Sequence, residues 1–477
     1  MKVGTRQIKP FARIRATGVA LLFGVFAFVG VASPLAAQSR AVLEKVIRRQ
    51  VLPNGLEVIV YENHGVPLAT VEFDVKNGAF VQTKELAGLA HLYEHMFFKA
   101  NARYPDADAF LARTSALGAR FNATTQEERV NYYITVQRDS LTAAMQFMNA
   151  AIRTPLFRAD ELAQEREVVL GEYDRNESNP MFGFMQEMDR VLYGAEWHRK
   201  NTIGDREVIR TATPEQMRFI QKRYYVPNNT ALIVSGDVQS DSVFALATRL
   251  FADWPRQPDP FTVAPLPALP LLAADDAIVT EAPVSAVSVM LRWNGPSVGK
   301  DPAATYAADV FSDALNQPGS KFQQRLVDSG LWLGVGVNYY TLNQNGPITI
   351  SGQTTVENYP AAMRALEAEI AKFTEPGYIT EEELRHTQAA RTVSSAFGLE
   401  RSSDLAHTIG FWWSVASLDY FLGYVDNMAA MTLADLRGYA AKYIAGKPRL
   451  TGVLLSPQDR ATLKLTRESL ASQRRVP

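Results

Sequence analysis

The chain of 477 residues carries its plan twice. Six prolines, Pro255, Pro258, Pro260, Pro265, Pro267 and Pro270, crowd sixteen residues near the middle. Proline at that density opposes helix and favours an extended connection, so 255–272 reads as a linker. The pieces on either side share features in the same order. Phe73-Asp-Val-Lys-Asn-Gly78 recurs as Met290-Leu-Arg-Trp-Asn-Gly295, an offset of 217. Thr213, Arg218 and Tyr224 recur as Thr432, Arg437 and Tyr443, an offset of 219. Each piece closes on an apolar run, 231–236 in the first and 450–456 in the second. Repetition of that length calls for two similar units, expected at 38–254 and 273–477.

Within the first unit, 56–60 and 69–75 read as strands, the former after a Pro53-Asn54-Gly55 turn. Residues 88–99, 141–153 and 159–175 carry helical periodicity, and 121–136 alternates as a strand does. Strands and helices mix without regular βαβ alternation, so the expected class is α+β.

Composition narrows the chemistry. The chain has no cysteine, which excludes disulfide scaffolds, thiolate zinc sites and cysteine nucleophiles. A metal site would have to use carboxylates and the six histidines, His64, His91, His95, His198, His386 and His407. Net charge is −1, but the first 37 residues hold five cations and no acid, so the remainder carries −6. That balance gives no electrostatic reason to bind nucleic acid or an anionic membrane. The basic start, the apolar or small run 18–32 and the small residues before Gln38 describe a secretory signal peptide at 1–37. Export to the periplasm or beyond is expected, with an inner-membrane anchor as the alternative if the leader stays attached.

The most informative segment is His91-Leu-Tyr-Glu94-His95. On a helix, residues four apart are about 40° apart around the axis, so both imidazoles leave one face and can share a metal. Glu94 lies on the adjoining flank, within reach of a water at that metal. His-x-x-Glu-His is the inverted form of a zinc peptidase signature. A catalytic zinc takes three protein ligands and leaves a position open. Glu165 and Glu172, two helical turns apart, face the same way; one can bind metal while the other orients a ligand.

These residues resemble the pitrilysin/insulysin/mitochondrial processing peptidase family. So do Pro53-Asn-Gly-Leu56, Gly88-Leu-Ala-His91, Phe121-Asn-Ala-Thr124, Glu165-Arg-Glu-Val-Val169 and Tyr225-Val-Pro-Asn-Asn229. The resemblance implies two duplicated halves closing like a clam-shaped peptidase chamber around an unfolded peptide. It implies one Zn²⁺ per chain on His91, His95 and Glu172, with Glu94 catalytic and Glu165 supporting. It also implies a substrate-pairing edge strand at Phe121, Asn122, Ala123 and Thr124, and a zinc-dependent endopeptidase activity.

The second half departs from the first. At an offset near 218, His91, Glu94 and His95 fall on Asp309, Ser312 and Asp313, so no second metal site is expected. The family's Arg and Tyr that steady a substrate carbonyl have no clear match. One register places Leu326 and Leu333 there, another Arg325 and Trp332. This gap suggests a related metal-less chain as the partner supplying Arg and Tyr, with a second copy of this chain, or a lone enzyme using a substitute donor, as the alternatives. A silent peptide-binding or assembly subunit of the same fold is the competing reading, and the intact Glu94 argues against it.

Overall fold

The computed structural model describes residues 39–472, which fold as one compact unit. The expected leader lies outside them. Two sheets organise the chain. The first contains β1 (Ile47–Val51), β2 (Glu57–Glu62), β3 (Leu68–Val75), β4 (Arg120–Thr125), β5 (Val130–Gln137) and β6 (Thr230–Gly236), in the order β1-β2-β6-β3-β5-β4. The second contains β7 (Asp276–Glu281), β8 (Val287–Asn294), β9 (Gly334–Tyr339), β10 (Pro347–Thr354) and β11 (Leu450–Leu455), in the order β7-β11-β8-β10-β9. Both insert their last strand beside an earlier one: β6 runs parallel to β2 and antiparallel to β3, as β11 does to β7 and β8. The mixed α/β class and the paired halves are as the repeat led us to expect.

Helices follow the same duplication. Pro214–Tyr224 and Leu433–Tyr443 both open on a capping box, Thr213 with Gln216 and Thr432 with Asp435. Each box satisfies backbone donors that would otherwise be orphaned at the helix start. The 141–153 helix has the expected bounds, and the expected 121–136 strand is the hairpin β4–β5.

Two expectations need correction. Phe73 lies in the first core, whereas Met290 lies on the opposite face of its sheet and Leu291 in the second core. The strands therefore correspond at an offset of 218, and the shared Asn-Gly pair misled by one residue. A slip of one reverses every side chain, which is why burial decides the matter. The proline-rich segment also holds one helical turn, Pro260–Val263. Asp259 caps it, and Pro260 stands at its first position, where a missing N–H costs nothing.

Four helices position the site and join the halves: α1 (Leu89–Phe97), α2 (Ala159–Glu177), α3 (Pro180–Tyr193) and α4 (Ser402–Val415). The outer face of each sheet is covered by a helix from the other half. Phe184, Met188 and Leu192 of α3 pack on Ile278, Met290 and Leu454 of the second sheet. Leu405, Ile409 and Trp413 of α4 pack on Ile59, Tyr61 and Ile233 of the first. Gly410 permits the close approach of α4, since a Cβ there would fall 2.1 Å from a carboxylate oxygen of Asp74. His407 pairs with Glu72 at 2.5 Å across the same contact. At a further seam, the Glu128 carboxyl accepts the amides of Asn343 and Gln344 at 2.6 and 3.0 Å.

Reciprocal docking makes the halves interdependent. Phe184→Ala, emptying a fully buried position, is expected to cost about 3–5 kcal/mol and to lower one shared calorimetric transition. Melting of one half with the other unshifted would contradict the interlock. Burial pushes Glu128 up to about 7. Between the ordinary carboxyl value and that one, the folded chain holds the extra proton, so stability falls as pH rises. Thermal melts from pH 5 to 8 should therefore narrow, or reverse, any deficit of Glu128→Gln relative to the parent. A difference independent of pH would contradict this.

Candidate metal centre

The site rests on a short helix buried on most of its surface. Leu89, Leu92, Tyr93, Met96 and Phe97 of α1 enter the first core, which leaves His91, Glu94 and His95 as its polar stripe. Gly88 starts α1 with φ +96°, a left-handed conformation that favours glycine. A Cβ there would meet the Ile203 carbonyl at 2.8 Å, so the residue also allows close packing.

Helix α2 lies against this stripe. Glu172 Oε2 stands 3.5 Å from His91 Nε2 and 3.7 Å from His95 Nε2. Glu165 Oε2 meets the other nitrogen of His95, Nδ1, at 2.9 Å, while Lys99 Nζ holds Glu165 Oε1 at 2.6 Å. The two glutamates thus divide their tasks by position: one faces both free imidazole nitrogens, the other orients one ring from behind. One ligand atom each from His91, His95 and Glu172 lies within 4.8 Å of the others. For four-coordinate zinc with bonds near 2.1 Å, ligand atoms stand about 3.4 Å apart, so the three residues fit such an ion with small adjustments. Among the described residues they form the single His/carboxylate group of this kind, and the second half has none.

The two imidazoles differ in their electrostatics. Burial, together with His95 nearby, pushes His91 down to about 4, which leaves its imidazole neutral with a lone pair to give. For His95, burial lowers the pKa, but the hydrogen bond to Glu165 and the charge of Glu172 outweigh it and raise the value. Burial raises Glu165 as well, yet His95 and Lys99 bring it below the usual range. Glu94 is raised by burial, an effect partly offset by the Thr125 hydroxyl, which donates to its Oε2 at 2.6 Å.

A cavity of about 420 Å³ opens beside this group. Ala123 and Thr124 line it, together with Thr125; Phe121 and Asn122 do not. Phe121 instead packs its ring on Phe98 and Phe110, 5.2 and 5.9 Å between centroids, and Asn122 is exposed. All four lie on β4, the edge strand, whose strand partner is β5. Gln126 N bonds Arg129 O at the hairpin turn. Alternation from there directs the backbone of 120, 122 and 124 toward β5 and that of 121, 123 and 125 outward. The far wall comes from α3 and the segment after it, with Met185, Gln186 and Trp197.

Sequence reasoning missed Thr125, Lys99 and this wall. Lys99 stands four residues after His95, a helical spacing that could have signalled it, and Thr125 continues the alternation of 121 and 123. Nothing local marks the wall residues. In the second half, Arg325 pairs with Glu369 at 3.1 Å, and Trp332 is buried with its indole donating to Ala362 O. Leu326 is buried and Leu333 exposed. Asp309 accepts from Tyr424, and Asp313 from Arg391. None of these residues lines the cavity.

Comparison with known proteins agrees with this architecture. Residues 57–198 match the family described as insulinase (peptidase family M16), and 211–391 match the peptidase M16 inactive domain. The chain belongs to the M16 peptidase family. A zinc protease of Rickettsia felis is 24% identical over 336 residues, 70% of this chain and 79% of that protein. Zinc protease PqqE of Helicobacter pylori is 25% identical over 423 residues, 85% of this chain and 92% of its own length. The crystal structure of a protease from Helicobacter pylori superposes with a TM-score of 0.75 at 22% identity, covering 86% of this chain and 99% of that one. The periplasmic protease PqqL from Escherichia coli superposes at 0.71 with 18% identity, covering 91% of this chain and 50% of PqqL.

Proposed function

We propose that the chain is a zinc-dependent endopeptidase of peptides or unfolded segments, with His91, His95 and Glu172 as ligands. The observation that carries this reading is the convergence of those three donors beside Glu94, in a cavity bordered by an unpaired strand edge. Zinc bound there would supply a Lewis acid that polarises the peptide carbonyl and acidifies water. Glu165 holds the His95 ring through Nδ1, fixing the tautomer that leaves Nε2 free. Thr125 orients the Glu94 carboxyl toward the cavity. Glu94 takes the proton of the attacking water and returns it to the departing amine. The substrate backbone pairs with the outward groups of 121, 123 and 125, a mode that depends little on side chains.

Among the described residues, no Arg or Tyr of the second half lines this cavity to orient a substrate carbonyl. Arg325 is engaged with Glu369, and Trp332 is buried. We therefore assign that function to a second body, a related metal-less chain or another copy. The length of PqqL, twice what this chain spans, supports the idea. The working compartment is read as the periplasm or beyond, from the leader-like start; PqqL is itself described as a periplasmic protease.

Hydrolysis of a quenched peptide should vanish with a chelator and return with zinc. Glu94→Gln should lower kcat by about 10²–10⁴-fold while zinc still binds stoichiometrically. Full activity in that variant would refute the assignment. Adding a metal-less relative should raise kcat/KM if the second body is heterologous. Activity that neither a relative nor dilution of the chain alters would count against any second body.

A further inference from the structure

A second cavity, of about 300 Å³, lies on the seam between the halves, lined by residues of both and of the linker. Phe80, Phe261, Leu266 and Ala416 make its apolar wall, with the two phenyl rings 5.6 Å apart. Its volume is at the lower end of the roughly 300–1,000 Å³ usual for small-ligand pockets.

Two polar groups in it lack a hydrogen-bond or ion-pair partner among the described residues. Lys76 makes no ion pair among the described residues, and its ammonium lies 4.7 Å from the centre of the Trp413 ring. The carboxylates that act on it are otherwise engaged. Glu57 holds Arg49 and the Trp413 indole at 2.7 and 3.0 Å; Asp259 accepts the Phe261 and Thr262 amides. Burial lowers the Lys76 pKa, the mark of a cation with too little compensation. The Ser414 hydroxyl is the second group. Ser414 is 7% exposed, and its Oγ has no hydrogen-bond partner among the described residues. The remaining charge, Glu128, has both oxygens turned to the Asn343 and Gln344 amides.

We propose that this cavity binds a small carboxylic acid with an apolar body. The carboxylate would lie between the Lys76 ammonium and the Ser414 hydroxyl, and the body against Phe80 and Phe261. One cation and one hydroxyl donor match a monoanion. A dianionic phosphate would bring more charge than Lys76 offsets, close to Glu128. An apolar molecule without the carboxylate would leave both polar groups as they are, and burying such groups unpaired is costly.

Isothermal titration of the whole chain with 3-phenylpropionate and its neutral counterpart 3-phenylpropan-1-ol tests this. The acid should saturate at one per chain, and the alcohol should bind at least about tenfold more weakly. Lys76→Met should weaken the acid by about tenfold or more, and Lys76→Arg should keep most of the affinity. Ser414→Ala should weaken it by about three- to tenfold. His95→Ala should bind the acid as the parent does, separating this cavity from the metal cluster. The proposal fails if the acid does not saturate by about 10 mM, where the free energy is only about −2.7 kcal/mol. It fails equally if acid and alcohol bind alike, if Lys76→Met changes nothing, or if His95→Ala abolishes binding.

Discussion

The contact between α1 and α2 is the constraint on which the site depends. A helix of nine residues is too short to be stable alone, so α1 exists because most of its surface is packed into the first core. Its one polar stripe then has to be satisfied by another element, and α2 does this with Glu165 and Glu172. Glu165 takes a nitrogen of His95 and is itself held by Lys99, which fixes that imidazole. Glu172 remains directed at the Nε2 atoms of both rings, 3.5 and 3.7 Å away. The geometry of two helices thus brings three candidate ligands together.

The rest of the molecule supports that contact from a distance. Helix α3 follows α2 directly, forms one wall of the cavity beside His91, Glu94 and Glu172, and also covers the second sheet. The second half is thereby a structural partner of the site even though it holds no metal-ligating cluster among the described residues. Helix α4 returns the arrangement by covering the first sheet, and Glu128 ties the β4–β5 hairpin to the second half. The edge strand that borders the cavity is therefore anchored by both halves. A half without a metal-type cluster among its described residues still has a structural role.

Much of this was legible in the sequence, for particular physical reasons. The helical period places His91 beside His95 and Glu165 in line with Glu172, so spacing alone brought out the stripe. The duplication was legible because turns and caps recur: Thr213 and Thr432 each begin a helix with the same capping device. What stayed hidden is non-local. An amphipathic pattern shows that one face of 180–193 or 402–415 is buried but not on whose sheet, so the exchange of helices could not be read. The strand register slipped by one because an Asn-Gly match outweighed the pleat, and only burial of Phe73 against Leu291 corrects it. The helical turn at Pro260–Val263 was missed because a proline at a first helical position was counted as a breaker. Thr125 and Lys99 had weak local signals, whereas Gln186 and Trp197 reach the cavity through tertiary packing alone.

The central claim is that His91, His95 and Glu172 converge to hold zinc. Anomalous diffraction on either side of the zinc absorption edge, from crystals of the whole chain loaded with zinc, tests it most directly. One peak per chain is expected, bounded by the two Nε2 atoms and a Glu172 oxygen, with bonds near 2.0–2.2 Å. A zinc-saturated crystal with no ordered peak between these three residues, or with its peak held by other side chains, would contradict it.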